Sequence, residues 1–109
     1  MFNFIEVARL DQVPAGTGSV FTTAGKSVAV FNVDGKIFAI ADVCPHAGGS
    51  LGMGKLGGGI VTCPLHGMKI DVTTGCFAGT SDKGVVTYPV KVVEGKILVA
   101  LATRPLATA

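Results

Sequence analysis

The stretch VCPHAGGSLGMGKLGGGIVTCPLHG, from Val43 to Gly67, differs in composition from the rest of the chain, and the interpretation of the whole sequence depends on it. It holds two of the three cysteines, both histidines and eight of the sixteen glycines. It also matches two phosphate-binding patterns, since Gly52–Gly57 fits G-x-G-x-x-G and Gly49–Lys55 fits most of a P-loop. The first question is whether this stretch binds a phosphate group or a metal.

Both phosphate-binding patterns fail in their sequence context. A P-loop requires Ser or Thr after its lysine, and Leu56 follows Lys55 here. Both patterns also need a helix that begins at the loop, and the three glycines after Leu56 are among the poorest helix formers. We therefore do not expect a phosphate site.

The cysteines and histidines form two similar halves, which favours a metal centre. One half reads C-P-H from Cys44, the other reads C-P-L-H from Cys63, and sixteen residues separate His46 from Cys63. Each half offers one thiolate and one imidazole, while the prolines stiffen the loops and the glycines let backbone N–H groups approach a sulfur. A zinc site uses the same donor types, but zinc fingers place two cysteines in one half and two histidines in the other. Unliganded core residues are the remaining alternative. The predicted metal ligands are Cys44, His46, Cys63 and His66.

Composition limits the other function classes. The 109 residues make one small domain, and 49% hydrophobic against 15% charged residues indicates a folded chain. The net charge of +2 is weak and the nine Lys and Arg residues are scattered, so we expect no nucleic-acid binding. No apolar run approaches the ~18 residues of a membrane span, and Glu6 and Arg9 interrupt the segment where a signal peptide would be apolar. We expect a cytoplasmic protein without a membrane partner.

Outside the central stretch the sequence predicts short antiparallel strands. Asp34-Gly35 and Glu94-Gly95 each stand between two apolar runs, which is a strong signal for a two-residue hairpin. No window offers a capped helix of useful length, so the sequence predicts an all-β sandwich or barrel. The predicted strands are 2–7, 19–23, 27–33, 36–41, 60–62, 68–72, 90–93 and 96–101.

The chain divides into a framework and an insertion. We expect residues 1–42 and 81–102 to form a basal β-sandwich, 43–80 to form the inserted site, and 103–109 to be a loose tail. The insertion is rich in glycine, low in charge and weakly periodic, so we do not expect burial alone to order it. A bound metal would supply the missing constraint.

The two halves and their spacing resemble the signature of Rieske [2Fe–2S] proteins, most closely the small soluble Rieske-type ferredoxins. The closing pattern YPVKV-x-x-G-x-I-x-V, from Tyr88 to Val99, extends the likeness over nearly the whole chain. The resemblance implies an antiparallel β-sandwich with an inserted cluster-binding subdomain. It also implies one [2Fe–2S] cluster, with Cys44 and Cys63 on one iron and His46 and His66 on the other.

The resemblance also implies a reduction potential near the low end of the Rieske range. Two imidazoles in place of two thiolates leave the oxidised cluster neutral, which eases reduction relative to an all-cysteine cluster. High-potential relatives have a disulfide and hydroxyl groups beside the cluster. This chain has Gly49 and Leu65 at the disulfide positions and Met68 and Ile70 at the hydroxyl positions. We expect a potential of roughly −150 mV.

The chain alone is expected to carry electrons rather than to catalyse a reaction. An oxygenase needs a further iron site, commonly two histidines and a carboxylate, and the cluster already requires both histidines of this sequence. By resemblance, a flavoprotein that oxidises NAD(P)H would reduce the chain, which would then reduce a terminal oxygenase, commonly one acting on aromatic rings. The expected docking residues are Pro45, His46, Ala47, Leu65, His66 and Gly67. The alternatives are the Rieske-like small subunit of a nitrite reductase and a zinc-stabilised structural module.

Several residues near the site carry weaker expectations. Cys76 is expected to be a small buried residue behind the metal centre, with a redox-sensing thiol as the alternative. A group of three apolar residues is expected to pack beneath the insertion, with an exposed docking patch as the alternative. A group of three lysines could steer an acidic partner, although scattered solvated lysines are commoner, and the charge of the partner surface stays undecided. The apolar group is Leu51, Met53 and Leu56, and the lysines are Lys55, Lys69 and Lys83.

Overall fold

The computed structural model describes residues 4–23, 25–43, 49–65 and 67–101. Its strands are β1 (Phe4–Arg9), β2 (Gly18–Thr23), β3 (Lys26–Val33), β4 (Lys36–Ala41), β5 (Lys55–Gly57), β6 (Ile60–Thr62), β7 (Lys69–Asp71), β8 (Thr87–Tyr88), β9 (Val90–Val93) and β10 (Lys96–Ala100). The helical segments of these ranges are two 3₁₀ turns, Leu10–Gln12 and Leu51–Met53. Neither turn approaches the length and apolarity that crossing a membrane requires.

The strands form three antiparallel sheets. The outer sheet has the order β1-β10-β9, the central sheet β2-β3-β4-β8, and the small sheet β5-β6-β7. Every neighbouring pair is antiparallel, which confirms the prediction of an all-β antiparallel fold. The small sheet is built entirely from residues of the expected insertion, and the proposed domain boundaries stay a prediction.

The central sheet is buried on both faces, so the described residues form two cores. Alternate residues of a strand point to opposite faces. Val28 and Val30 of β3 therefore pack against the outer sheet, and Ala29 and Phe31 pack on the side of the small sheet. The base core, on the outer-sheet side, comprises Ala8, Val13, Val28, Val30, Ala39, Ile97, Val99 and Leu101. The site core, on the other side, comprises Ala29, Phe31, Ile40, Leu51, Val61, Cys63, Ile70, Val72 and Val85.

Both predicted hairpins form with the predicted turn chemistry. Asp34 and Gly35 have φ of 52° and 91°, and Glu94 and Gly95 have φ of 50° and 77°. Positive φ at both central residues is the type I′ geometry that joins twisted strands, and glycine at the second position adopts it without steric cost. The turns thereby fix the pairing of β3 with β4 and of β9 with β10.

A buried asparagine ties the end of β3 to neighbouring loops. The Asn32 side-chain amide donates to the carbonyl oxygen of Val13 at 2.8 Å, and its Oδ1 accepts from the backbone N–H of Gly35 at 2.8 Å. Its backbone exchanges further hydrogen bonds with Gly16 and Thr17. The polar groups of this buried residue are therefore satisfied by partners up to 19 residues away along the chain.

Burial takes part in ordering the described residues of the insertion, and the expectation that burial alone does not order this segment stays a prediction. Leu51, Val61, Ile70 and Val72 are fully or almost fully buried in the site core, where they pack with Phe31 and other residues of the central sheet. The apolar positions of this segment lie on short, separate pieces of backbone, and no single window of sequence displays their periodicity. Burial therefore contributes directly to the order of the insertion.

Some strand predictions needed correction. The short β5 was not predicted, because Lys-Leu-Gly has little strand propensity and forms a strand through its pairing with β6. The two-residue β8, which Pro89 follows, was also not predicted. The described part of the first strand extends to Arg9 rather than Val7, with an irregularity between Glu6 and Ala8. The expected tail, 103–109, lies outside the described residues.

Candidate metal centre

The structure describes part of the predicted site. Cys63, Leu65 and Gly67 belong to the described residues. The remaining predicted ligand and docking residues, Cys44, Pro45, His46, Ala47 and His66, lie outside them. Within the described ranges no three His, Cys, Asp or Glu side chains come together as a metal site. The described part of the site therefore comprises Cys63 with its surroundings in the second half and the two ends of the first half.

Cys63 follows β6 directly and is buried, with 1% of its surface exposed. Its backbone N–H donates to the carbonyl oxygen of Met68 at 2.7 Å, which closes the loop from Cys63 to Met68. Gly67 within this loop has φ of 71°, a conformation that favours glycine. Two residues earlier, Val61 is fully buried in the site core and pairs with Ile70. The thiol is thus positioned by a rigid strand and a short closed loop.

Asp42 holds together the two ends of the first half. Its carboxylate Oδ1 accepts from the Ser50 hydroxyl at 3.0 Å and from the backbone N–H of Gly52 at 2.7 Å. Its carbonyl oxygen accepts from the N–H of Leu51 at 2.8 Å, and Val43 pairs with Ser50 in an antiparallel bridge. Residues 43 and 50, on either side of Cys44 and His46 in the sequence, are therefore held side by side.

Sequence reasoning missed the role of Asp42. Asp42 is nearly fully buried, and a buried carboxylate is costly unless several donors satisfy it. A signal was present, because an aspartate stands at the end of an apolar strand immediately before the Val-Cys that opens the first half. Its partners, however, lie eight and ten residues further along, where no local pattern identifies them.

The two halves approach each other at Gly49 and Cys63. A methyl group built on the Gly49 Cα would lie 3.2 Å from the Cys63 Sγ and 3.2 Å from two carbons of the Leu65 side chain. Glycine at position 49 thus lets the backbone of the first half come closer to the buried sulfur than a residue with a side chain could. This close approach of the two halves, with a donor set of thiols and imidazoles in the sequence, fits a thiolate-bound metal group.

The positions expected to tune the centre carry no hydroxyl groups. Ile70 is fully buried, and Met68 is half-buried against the site core. The Ser50 hydroxyl lies near the first half, but it already donates to Asp42. The apolar character of Met68 and Ile70 that the sequence indicated is therefore kept in the packed structure.

Two further expectations near the site were wrong. Cys76 is only half-buried, in a bridge with Lys83, and does not pack behind Cys63 as a member of the site core. Met53 is 73% exposed, whereas Leu51 is buried and Leu56 half-buried, so the three apolar residues do not form one packed group. The 3₁₀ turn Leu51–Met53 explains the difference, since successive residues of such a turn face different directions.

Comparison with known proteins confirms the resemblance stated from the sequence. The Rieske [2Fe–2S] domain family matches residues 3–89. A curated relative from Ralstonia sp. is the ferredoxin component of naphthalene 1,2-dioxygenase/salicylate 5-hydroxylase systems. The two sequences are 34% identical over 91% of this chain and 96% of the relative.

Solved structures give the same result. One is the ferredoxin in a complex of reduced oxygenase and oxidised ferredoxin of carbazole 1,9a-dioxygenase, with a TM-score of 0.80 and 30% identity over 89% of this chain and 92% of that chain. Another is a putative NADH-dependent nitrite reductase small subunit from Mycobacterium tuberculosis, with a TM-score of 0.84 and 25% identity over 95% and 99% of the two chains. The predicted Rieske-like sandwich is confirmed.

Proposed function

Because this chain belongs to the Rieske [2Fe–2S] domain family, we propose that it is a one-electron carrier that takes electrons from a flavoprotein reductase and delivers them to a terminal oxygenase. Family membership implies one Rieske-type [2Fe–2S] cluster. The curated relative is named a ferredoxin component, which agrees with a carrier rather than a catalytic chain. When bound, such a cluster accepts and releases a single electron.

Four residues are proposed to bind the cluster: Cys44 and Cys63 on one iron, and His46 and His66 on the other. The observation that carries this proposal is the close approach of Gly49 to the buried sulfur of Cys63, which brings the first half against the second. Asp42 holds the ends of the first half side by side, and the site core excludes water behind Cys63. These contacts support the proposed ligand set by fixing Cys63 and the two ends of the first half.

The proposed partners are an NAD(P)H-dependent flavoprotein and an oxygenase. The carbazole 1,9a-dioxygenase ferredoxin was solved in a complex with its oxygenase, which supports an oxygenase as the acceptor for this chain. The surface proposed for docking is Pro45, His46, Ala47, Leu65, His66 and Gly67. Of these, Leu65 is 48% exposed and Gly67 is exposed, so both described members are accessible to a partner.

We further propose a potential near the low end of the Rieske range, roughly −150 mV. Hydroxyl groups that donate to cluster sulfurs stabilise the reduced form and raise the potential. Met68 and Ile70 have no such donor, and Gly49 and Leu65 cannot form a disulfide. Redox titration of the purified protein measures this value directly, and a midpoint well above zero contradicts the proposal.

The small subunit of a nitrite reductase is the second candidate. It is supported by the M. tuberculosis structure, which matches 95% of this chain. A subunit of that kind is expected to copurify in a fixed complex with a larger reductase, whereas a free carrier elutes alone. A zinc-stabilised module is distinguished by a colourless protein that contains zinc and no acid-labile sulfide.

The experiment that tests the proposal compares two cysteine variants after anaerobic purification. We expect the wild type to contain iron and sulfide in equal amounts and to give a Rieske-type electron paramagnetic resonance signal after reduction. Cys63→Ala should lose the cluster, and Cys76→Ala, the matched control, should retain it. The proposal is wrong if the wild type contains no iron, or if Cys63→Ala keeps the spectrum of the wild type.

A further inference from the structure

Three residues of the small sheet form a lysine row beside the proposed cluster. The register pairs Lys55 with Thr62 and Thr62 with Lys69, so the three residues lie side by side across β5, β6 and β7. The adjacent row, Leu56, Val61 and Ile70, is directed into the site core. Side chains of neighbouring rows point to opposite faces, and both lysines are exposed, so the lysine row faces outward.

The row lies directly next to the second half of the site. Thr62 precedes Cys63, and Lys69 follows Met68, whose carbonyl oxygen accepts from the Cys63 N–H. Adjacent strands are about 4.8 Å apart, which places the two lysine Cα atoms about 10 Å from each other across β6. The Debye length is also about 10 Å at 0.1 M salt, so the fields of the two charges overlap at the outer face of the small sheet, next to the Cys63–Met68 loop.

Little negative charge opposes these lysines. Between Asp42 and Asp71 the sequence has no charged residue other than Lys55 and Lys69. Asp42 is buried. The Asp71 carboxylate, on the same face of β7 as Lys69, accepts from the backbone and hydroxyl of Thr73 and keeps its charge, so one carboxylate offsets part of the charge of the two lysines. Among the described residues the ion pair present, Arg9 with Asp11, involves neither lysine. On the segment that follows the small sheet, the negative charge of Asp82 and the positive charge of Lys83 cancel.

The exposed surface next to the row is apolar. Met53, 73% exposed, precedes Gly54, and a methyl group on Gly54 would overlap the carbonyl oxygen of Thr62. The Met53 segment therefore lies against the lysine row. Leu65, beyond Cys63, is 48% exposed. Exposed apolar side chains such as methionine mark surfaces that contact a protein partner, and charged side chains belong to the polar rim around them.

From this arrangement we propose that the lysine row is a docking surface for a redox partner whose contact face is acidic. The proposal rests on the proposed electron-carrier function and adds the charge of the partner to it. Opposite charges on the two faces increase the rate of encounter at low salt and bring the partner to the outer face of the small sheet, next to the Cys63–Met68 loop. The sequence alone left this sign undecided, because Lys55 and Lys69 become neighbours only through the register of the small sheet.

The test measures electron transfer from the reduced holoprotein to two protein probes of opposite charge, the acidic cytochrome b5 and the basic cytochrome c, by stopped-flow absorbance. The test variant is Lys55→Gln/Lys69→Gln. The matched control, Lys36→Gln/Lys96→Gln, also removes two exposed charges, one at the Asp34-Gly35 hairpin and one on the outer sheet. Both variants therefore have the same net charge and differ in where the charge was removed.

At low salt we expect the test variant to reduce cytochrome b5 about tenfold more slowly than the wild type, and the control within about twofold of it. The difference should vanish at about 0.5 M salt, and the test variant should reduce cytochrome c faster than the wild type. Lys55→Arg/Lys69→Arg, which keeps both charges, should restore the wild-type rates. It also serves as the reference if the glutamine variant loses its visible spectrum.

Two results overturn the inference. In the first, both double variants slow the reduction of cytochrome b5 equally, so the effect comes from net charge alone. In the second, the rate of this reduction does not depend on salt in either variant. In both cases the protein still has its cluster and is still reduced reversibly. Failure of the proposed function is different, because the wild-type protein would then lack the cluster or fail to accept an electron.

Discussion

Because the described residues form two cores, we predict that an Ile→Ala substitution affects iron release differently in the site core and in the base core. Ile70 lies in the site core and Ile97 in the base core, and both are fully buried. Replacing either by alanine removes three carbon atoms. At about 0.8 kcal/mol per buried methylene plus a cavity term, each substitution should cost about 3 kcal/mol of the free energy of unfolding.

The two variants should therefore unfold alike but release iron differently. Roughly 4 °C per kcal/mol for a domain of this size gives a fall in Tm of about 12 °C in each. Ile70 pairs with Val61, two residues before Cys63, so its loss should favour local opening of the site. A 3 kcal/mol change corresponds to roughly a 100-fold increase in the open population. Ile97→Ala should leave this local opening within about threefold of the wild type.

The assay has two parts. Thermal unfolding followed by far-ultraviolet circular dichroism tests that the two global effects match. Bleaching of visible absorbance at 25 °C, in excess iron chelator, measures cluster release under native conditions. If Ile97→Ala bleaches as fast as Ile70→Ala, release occurs through global unfolding, and the idea that the two cores act separately is refuted.

Two further predictions concern a buried carboxylate and a phenol. Asp42→Ala leaves two donors without their acceptor and should lower the free energy of unfolding, measured by urea denaturation, by about 3 kcal/mol. Ser50→Ala removes one of the two hydrogen bonds and should lower it by about 1 kcal/mol. Equal costs would contradict the idea that Asp42 holds the two ends of the first half together. Burial raises the pKa of Tyr88 above its usual 10.0, so the unfolded chain ionises first as the pH rises, and stability should fall between pH 10.0 and the raised folded pKa. In Tyr88→Phe this part of the loss of stability at alkaline pH should be absent. Because Tyr88 is the only tyrosine of the sequence, its phenolate absorbance reports the same ionisation. A pKa at or below 10.0 for Tyr88 in the folded protein would contradict the prediction.

Local chemistry predicted the hairpins and the family, and long-range pairing accounts for what was missed. Asp34-Gly35 and Glu94-Gly95 determine their turns through their own φ angles, so a short window of sequence suffices. The strand β5 and the clamp of Asp42 depend on partners elsewhere in the chain, and no window contains them. The predicted Rieske relationship is confirmed, and the four individual ligands stay a prediction.

The site core illustrates the same limit. Leu51, Val61 and Ile70 come from three separate short segments, and each segment alone carries too few apolar residues to indicate burial. Cys76 shows the opposite error, since a lone small apolar residue suggests burial from its type, whereas its position beside Lys83 leaves it half-buried. Residue type predicts an average environment, and topology determines the actual one.

Burial of β3 on both faces has a consequence for how the chain avoids misalignment. A slip by one residue would exchange Val28 and Val30 with Ala29 and Phe31, and every exchanged side chain would still be apolar, so hydrophobicity alone scarcely penalises the error. Asn32 does penalise the slip, because in the shifted register its side-chain amide would lose the hydrogen bond to Val13 and remain unsatisfied in an apolar environment. A single polar side chain thus fixes the register of β3 between the two cores. An apolar replacement of Asn32 should yield a protein that is still compact but whose β3 can pair in more than one register.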